Sequence, residues 1–176
     1  MKASVFSAVR ARVPWLGINL VTAFLASTVV SLFAHVIDAH VALAFLMPVV
    51  AGLSGNAGSQ ALAVAVRAIA ERDLEGPLVR RAIRREALTA IINGTIIAWS
   101  AALVVLVWFQ NPTISLVIGM SMMVTFTWAG LIGILAPLTL KRVGADPAVA
   151  SSVFVLTSID MASFFVFLGL ASVMLL

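Results

Sequence analysis

One carboxylate stands alone in a long apolar run: Asp160, in VLTSIDMASFF. At 1.5 Å per helical residue it lies about 20 Å beyond Asp146, near the middle of a bilayer. A charged group there costs at least about 2.5–3.5 kcal/mol and is normally kept for an ion pathway, a proton relay or a paired site. The plainer reading is a protonated carboxyl hydrogen-bonded to Ser or Thr between packed helices. Thr157 and Ser163, three residues before and after, share its face and make that face polar under either reading. A second polar feature is MPVVAGLSGNAGSQALAVAVR, residues 47–67, an apolar stretch with one proline, three glycines, an asparagine and a glutamine. Pro48 cannot donate to the carbonyl of Ala44, and helix irregularity at membrane depth is tolerated where it is buried in protein or lines a water-filled cavity. Ala51 with Gly55, and Ser54 with Gly58, are small residues four apart that permit close helix approach. Asn56 and Gln60 stand one turn apart on one face, with Asn56 about 16 Å from Arg67 along the helix, at a depth like that of Asp160.

A carboxylate, two amides and loosened backbone at one depth suit a hydrated cation. Mg²⁺ is small, octahedral and slow to lose water, so sites meet it with one or two carboxylates and leave several waters in place. One aspartate per chain is little charge for a divalent ion. Two chains about a twofold axis, the commonest oligomer symmetry, would bring two Asp160 side chains together.

These residues need elements to hold them. The 176-residue chain is 62% hydrophobic and 10% charged, far from the roughly 45–50% and 25% of a soluble domain. About 20 apolar residues cross a hydrocarbon core, and five stretches qualify: 13–34, 41–66, 87–109, 113–140 and 147–176. The third could end near Leu106, because Gln110, Asn111 and Pro112 mark a turn. We therefore expect an all-α, polytopic membrane protein of one domain, residues 1–176, with no internal repeat. Every Lys and Arg, 11 in all, falls in three segments. Lys2, Arg10 and Arg12 precede the first span. Arg67, Arg72, Arg80, Arg81, Arg84 and Arg85 lie between the second and third, and Lys141 and Arg142 between the fourth and fifth. The positive-inside bias makes these segments cytoplasmic, with the N-terminus in and the C-terminus out. The net charge of +4 then needs no nucleic acid, which would require basic residues gathered on one folded face. With no cysteine there is no disulfide or thiol chemistry. MKASVFSAVRARVPW has no short apolar core with a small-residue cleavage site, so it reads as a cytoplasmic lead-in and not as a signal peptide.

The long connection 67–86 holds Glu71, Asp73 and Glu75, then GPLVRRAIRRE. Pro77 suits a first helical turn, and Leu78, Val79, Ala82 and Ile83 against the arginines make an amphipathic helix resting on anionic lipid, or a regulatory, cation-gathering segment. Lesser candidates read as structural. His35 and His40 around Asp38 are loop residues or a weak metal site. Trp15 and Trp108 suit the interfacial belt, and Trp99 and Trp128 complete the tryptophans. Asn93 and Gly94 read as packing or polar glue, and Glu86 as an ion-pair partner. Met120, Met122 and Met123 read as lipid or core packing, since no soft ligand joins them.

PVVAGLSGNAGSQ resembles the P-x-x-x-G-x-x-G-N-x-G-x-Q signature of the MgtE family of magnesium channels, and the likeness runs from RARVPWLGINLVTAFLAS to IDMASFFVFLGLA, about residues 10–176. The resemblance implies a homodimer of five-helix protomers and a pore along the dimer axis lined by the second and fifth spans. It places the family's essential pore aspartate at Asp160, the signature at Gly52, Gly55, Asn56, Gly58 and Gln60, and an ion-facing backbone one turn earlier at Leu156. Three departures matter. Members usually carry a long cytoplasmic region with paired CBS domains that sense Mg²⁺, whereas this chain begins about a dozen residues before the first span, so that feedback is not carried over. The family commonly has glycine where Ser163 stands, and an acidic residue near Ala34 and His35.

The expectation is a homodimeric inner (plasma) membrane channel for divalent cations, Mg²⁺ first, with Asp160 as metal site, Leu156 offering backbone, and Gly52, Gly55, Asn56, Gly58, Gln60, Thr157 and Ser163 lining the pore. Mg²⁺ is cargo, and no cofactor is implied. No nucleophile stands beside a base, so no enzyme is expected. The rivals are an H⁺- or Na⁺-coupled carrier in which Asp160 titrates, and a non-conducting scaffold recruiting partners through the 67–86 connection.

Overall fold

The computed structural model describes residues 5–71, 77–143 and 147–176. They form six helices: α1 (Val5–Ser31), α2 (Ala34–Ala39), α3 (Ala42–Ala70), α4 (Pro77–Phe109), α5 (Pro112–Arg142) and α6 (Pro147–Leu175). All but α2 are long and apolar enough to cross a membrane, so the five expected spans are present.

Four features differ from the sequence reading. The first span begins at Val5 and carries Pro14 inside it; proline removes one internal hydrogen bond, and the rest of the turn continues around it. The outer connection holding His35 and Asp38 is the short helix α2, with His40 as its C-terminal cap. Among the described residues, no group of three or more acidic or histidine side chains is placed to hold a metal. Finally, the amphipathic segment after Pro77 and the third span are one 33-residue helix. No glycine or proline intervenes before Gly94, so nothing ends the helix at the membrane surface. On the apolar side of that segment Val79, Ala82 and Ile83 pack on Ile69, Ile134 and Leu138 of α3 and α5, while Leu78 is exposed. Of the acidic cluster there, Glu71 pairs with Arg67 at 3.0 Å, while Asp73 and Glu75 lie outside the described residues.

The α4–α5 turn follows from its residues. Helix α4 runs to Phe109, past Leu106. Gln110 takes the left-handed φ of 50°, and the Asn111 side chain accepts hydrogen bonds from the N–H groups of Thr113 and Ile114 at 3.0 and 3.1 Å. Pro112 then occupies the first turn of α5, where its missing N–H costs nothing.

Helix α5 is the hub, packed against α3, α4 and α6. Its glycines make this possible. A Cβ at Gly133 would lie 2.8 Å from the Gly58 carbonyl oxygen and 3.1 Å from the Leu62 nitrogen, so α3 and α5 meet backbone to backbone. They run parallel, tied by Ser54 Oγ donating to Thr125 Oγ1 at 2.8 Å. Such bonds between membrane helices contribute about 0.6 kcal/mol each. The α4–α5 pair is antiparallel: Gly94 sits against Phe126, Gly130 against Ala90 and Gly119 against Ala102. Helix α1 packs along α6 and leaves most of its apolar surface uncovered.

Candidate functional site

The two polar features of the sequence meet where α3 crosses α6. A Cβ added at Gly55 would stand 3.7 Å from Leu156 Cδ2, ordinary contact. At Gly58 it would collide with Ile159 and come within 3.4 Å of Val155 Cγ1 and 3.5 Å of the Ala129 carbonyl oxygen. The neighbour of Ile159 is Asp160, so the glycine-rich turns of α3 lie at the level of the lone carboxylate. Close approach of the two helices, permitted by glycine, sets that level.

Around this crossing the candidates divide. Gly52 and Asn56, four residues apart on one face of α3, are exposed, and nothing lies within 4 Å of a Cβ at Gly52. Beside them on α6, Leu156 is 36% exposed. Its carbonyl lies in unbroken helix and accepts from the N–H of Asp160 by the ordinary helical pattern, which leaves a second lone pair. Asp160 is half-buried, and no hydrogen bond or ion pair among the described residues reaches its carboxyl group. Its two hydroxyl neighbours do not neutralise it. Thr157 Oγ1 donates to its own helix, to the Val153 carbonyl at 2.7 Å. Ser163 is fully buried, and its Oγ has no partner. Gly55 and Gly58 are buried between helices and act in packing, while Gln60 is exposed beside α4 and lines a crevice there. The arrangement brings Gly52, Asn56, Leu156 and Asp160 to one open side of the protomer, and withdraws Gly58 and Ser163 from it.

Three structural roles are absent from the sequence reading. Gly133 sets the α3–α5 distance, and its signal was the run of small residues Ala129, Gly130, Gly133 and Ala136. Thr125 pairs with Ser54 across 71 positions, which no local spacing reveals. Trp128 donates its indole N–H to Ser158 Oγ at 3.0 Å and ties α5 to α6 two residues before Asp160.

A five-span helical bundle that brings an unpaired carboxylate and an exposed amide to one side defines a class: a multi-pass membrane protein with a polar site at bilayer depth. The family is equally definite. Residues 47–170 match the MgtE model, described as a divalent cation transporter, and the chain belongs to that family. Similar proteins are the magnesium transporters MgtE of Enterococcus faecalis, 35% identical over 161 residues, and of Bacillus subtilis, 32% identical over 161 residues. That of Thermus thermophilus is 33% identical over 165 residues. The alignments cover 92–94% of this chain and 36% of each relative, so the chain spans about a third of their length. Membership and the five apolar helices make it a multi-pass protein of the plasma membrane.

Proposed function

We propose that the chain forms the membrane pathway of a divalent cation channel, Mg²⁺ first, with two copies facing each other across a twofold axis. The observation that carries this is the open side on which Asp160 and Leu156 of α6 stand beside Gly52 and Asn56 of α3. One carboxylate does not balance a divalent ion, and a second copy supplies the other. With Asp160 from each protomer holding the ion through its water shell, Gly52 leaves room for that shell and Asn56 offers amide contacts. Mg²⁺ sheds its waters reluctantly, so a wide site with few direct ligands suits it. The basic ends of α3 and α5, with Arg67, Lys141 and Arg142, support a cytoplasmic placement of that end, hence N-terminus in and C-terminus out. Flow then follows the inside-negative potential, worth about 4.6 kcal/mol per 100 mV for a double charge.

The chain has no cysteine, which makes a clean test available. In Asn56→Cys, a charged thiol reagent should block cation flux, and Mg²⁺ should slow the modification. A cysteine that reacts readily while flux is unchanged places this face of α3 outside the pathway.

A further inference from the structure

A cavity of about 530 Å³ lies between α3, α4 and α5, towards the end where the arginines gather. It exists because α3 and α4 each pack along α5 but barely touch one another. Apart from Glu86, its polar lining is a stripe of α4 at four-residue spacing, Arg81, Arg85, Thr89 and Asn93, faced by Gln60 from α3. Residues four apart share a helix face, so the stripe runs about 18 Å from the basic end inward. Glu86 lines the same cavity and offsets one of its two positive charges.

The stripe is under-used by the protein itself. Among the described residues the one ion pair in contact is Arg67–Glu71; Glu86 feels the Arg85 charge without a direct contact, and no carboxylate grips Arg81. Thr89 is spent on its own helix, bonding the Arg85 carbonyl at 2.9 Å. The Gln60 and Asn93 amides make no hydrogen bond among the described residues. Both amides are exposed in the cavity with their hydrogen-bonding capacity open, which suits a polar occupant. Two guanidiniums one turn apart, with amide N–H groups deeper in, present donors alone apart from Glu86 and the amide carbonyls. Guanidinium forks match phosphate oxygens in geometry and charge, and basic pockets between membrane helices on the cytoplasmic side take phosphorylated head groups.

We infer that this crevice binds a phosphate group, with Arg81 and Arg85 as its charged contacts and Asn93 and Gln60 bordering its inner end. The group could arrive on an anionic phospholipid or as free phosphate; both present the same oxygens to the same donors. Because Gln60 belongs to α3, the occupant would bear on the helix that carries the open face described above. The inference concerns binding and stands apart from the transport reading.

The neighbouring arginines supply the control. Arg80 and Arg84 lie on the same helix and do not line the cavity, so removing either pair changes net charge equally. The measurement is the unfolding temperature of detergent-solubilised protein with added phosphatidylglycerol, phosphatidylcholine or inorganic phosphate. Phosphatidylglycerol or inorganic phosphate should raise it in the wild type and in the Arg80→Gln/Arg84→Gln variant. The shift should fall by more than half in Arg81→Gln/Arg85→Gln, and also in Asn93→Leu, which removes the lining amide without changing charge. A shift from phosphatidylglycerol alone identifies the lipid as the source, and one from inorganic phosphate identifies the free anion; both sustain the site. Equal losses in the two arginine pairs would mean diffuse surface electrostatics, and no shift with either phosphate source would mean no site; each overturns the inference.

Discussion

Asp160 is an ionisable side chain in an apolar span, a setting normally kept for an ion pathway, a relay or a paired site. Asn56 shows the same mismatch between a polar group and an apolar span. The structure adds that Thr157 and Ser163 do not bond to the carboxyl group, so in the protomer its charge is left for something outside. A consequence concerns pH. A cation competes with the proton for the carboxylate, so the apparent affinity for Mg²⁺ should weaken as pH falls through the titration of Asp160, and Asp160→Asn should remove that dependence. Binding measured by calorimetry between pH 8 and pH 5 checks this, and a flat profile in the wild type contradicts it. What the sequence could not show is which glycines face the open side. Gly52 is open while Gly58 is wedged against Ile159, a distinction that depends on where α5 and α6 pass.

At the scale of elements, hydropathy and charge made the five spans readable, and Gln110, Asn111 and Pro112 marked their turn. The continuity of α4 was hidden, because an amphipathic stretch beside a span looks the same whether its apolar side meets lipid or protein. Here it meets Ile69, Ile134 and Leu138. The hub role of α5 was hidden for a related reason: its apolar residues look alike whether they face lipid or neighbouring helices. Gly133 is the position that tests this packing. A side chain there meets the backbone of Gly58 and Leu62, which cannot yield as a flexible side chain would. Gly133→Ala should therefore destabilise the bundle by about 1–3 kcal/mol, the usual range for overpacking, read as a lower midpoint in denaturant. Gly17→Ala, with nothing within 4 Å of its Cβ, should leave the midpoint unchanged or raise it. Equal effects at the two positions would mean that α3 and α5 do not approach as described.

At the scale of the whole molecule, the carboxylate, the amide and the open glycine turn lie on one side of the protomer, and on the proposed function a second copy faces them. The proposed pair rests on charge, since one Asp160 per chain does not balance a divalent ion. With no native cysteine, Gly52→Cys should form an intermolecular disulfide under mild oxidation, whereas Val107→Cys, on a face 77% exposed but far along α4, should not. Equal cross-linking at both sites would assign it to random collision.

The central claim is that Asp160 carries the divalent ion through the membrane. The most direct test is Mg²⁺ uptake into proteoliposomes under an inside-negative potential, comparing the wild type with Asp160→Asn and Asp160→Ala at matched reconstitution and folding. Uptake should be present in the wild type and fall by at least tenfold in both variants, since neither neutral side chain holds the ion. Equal uptake by all three proteins would contradict the account and place the pathway elsewhere.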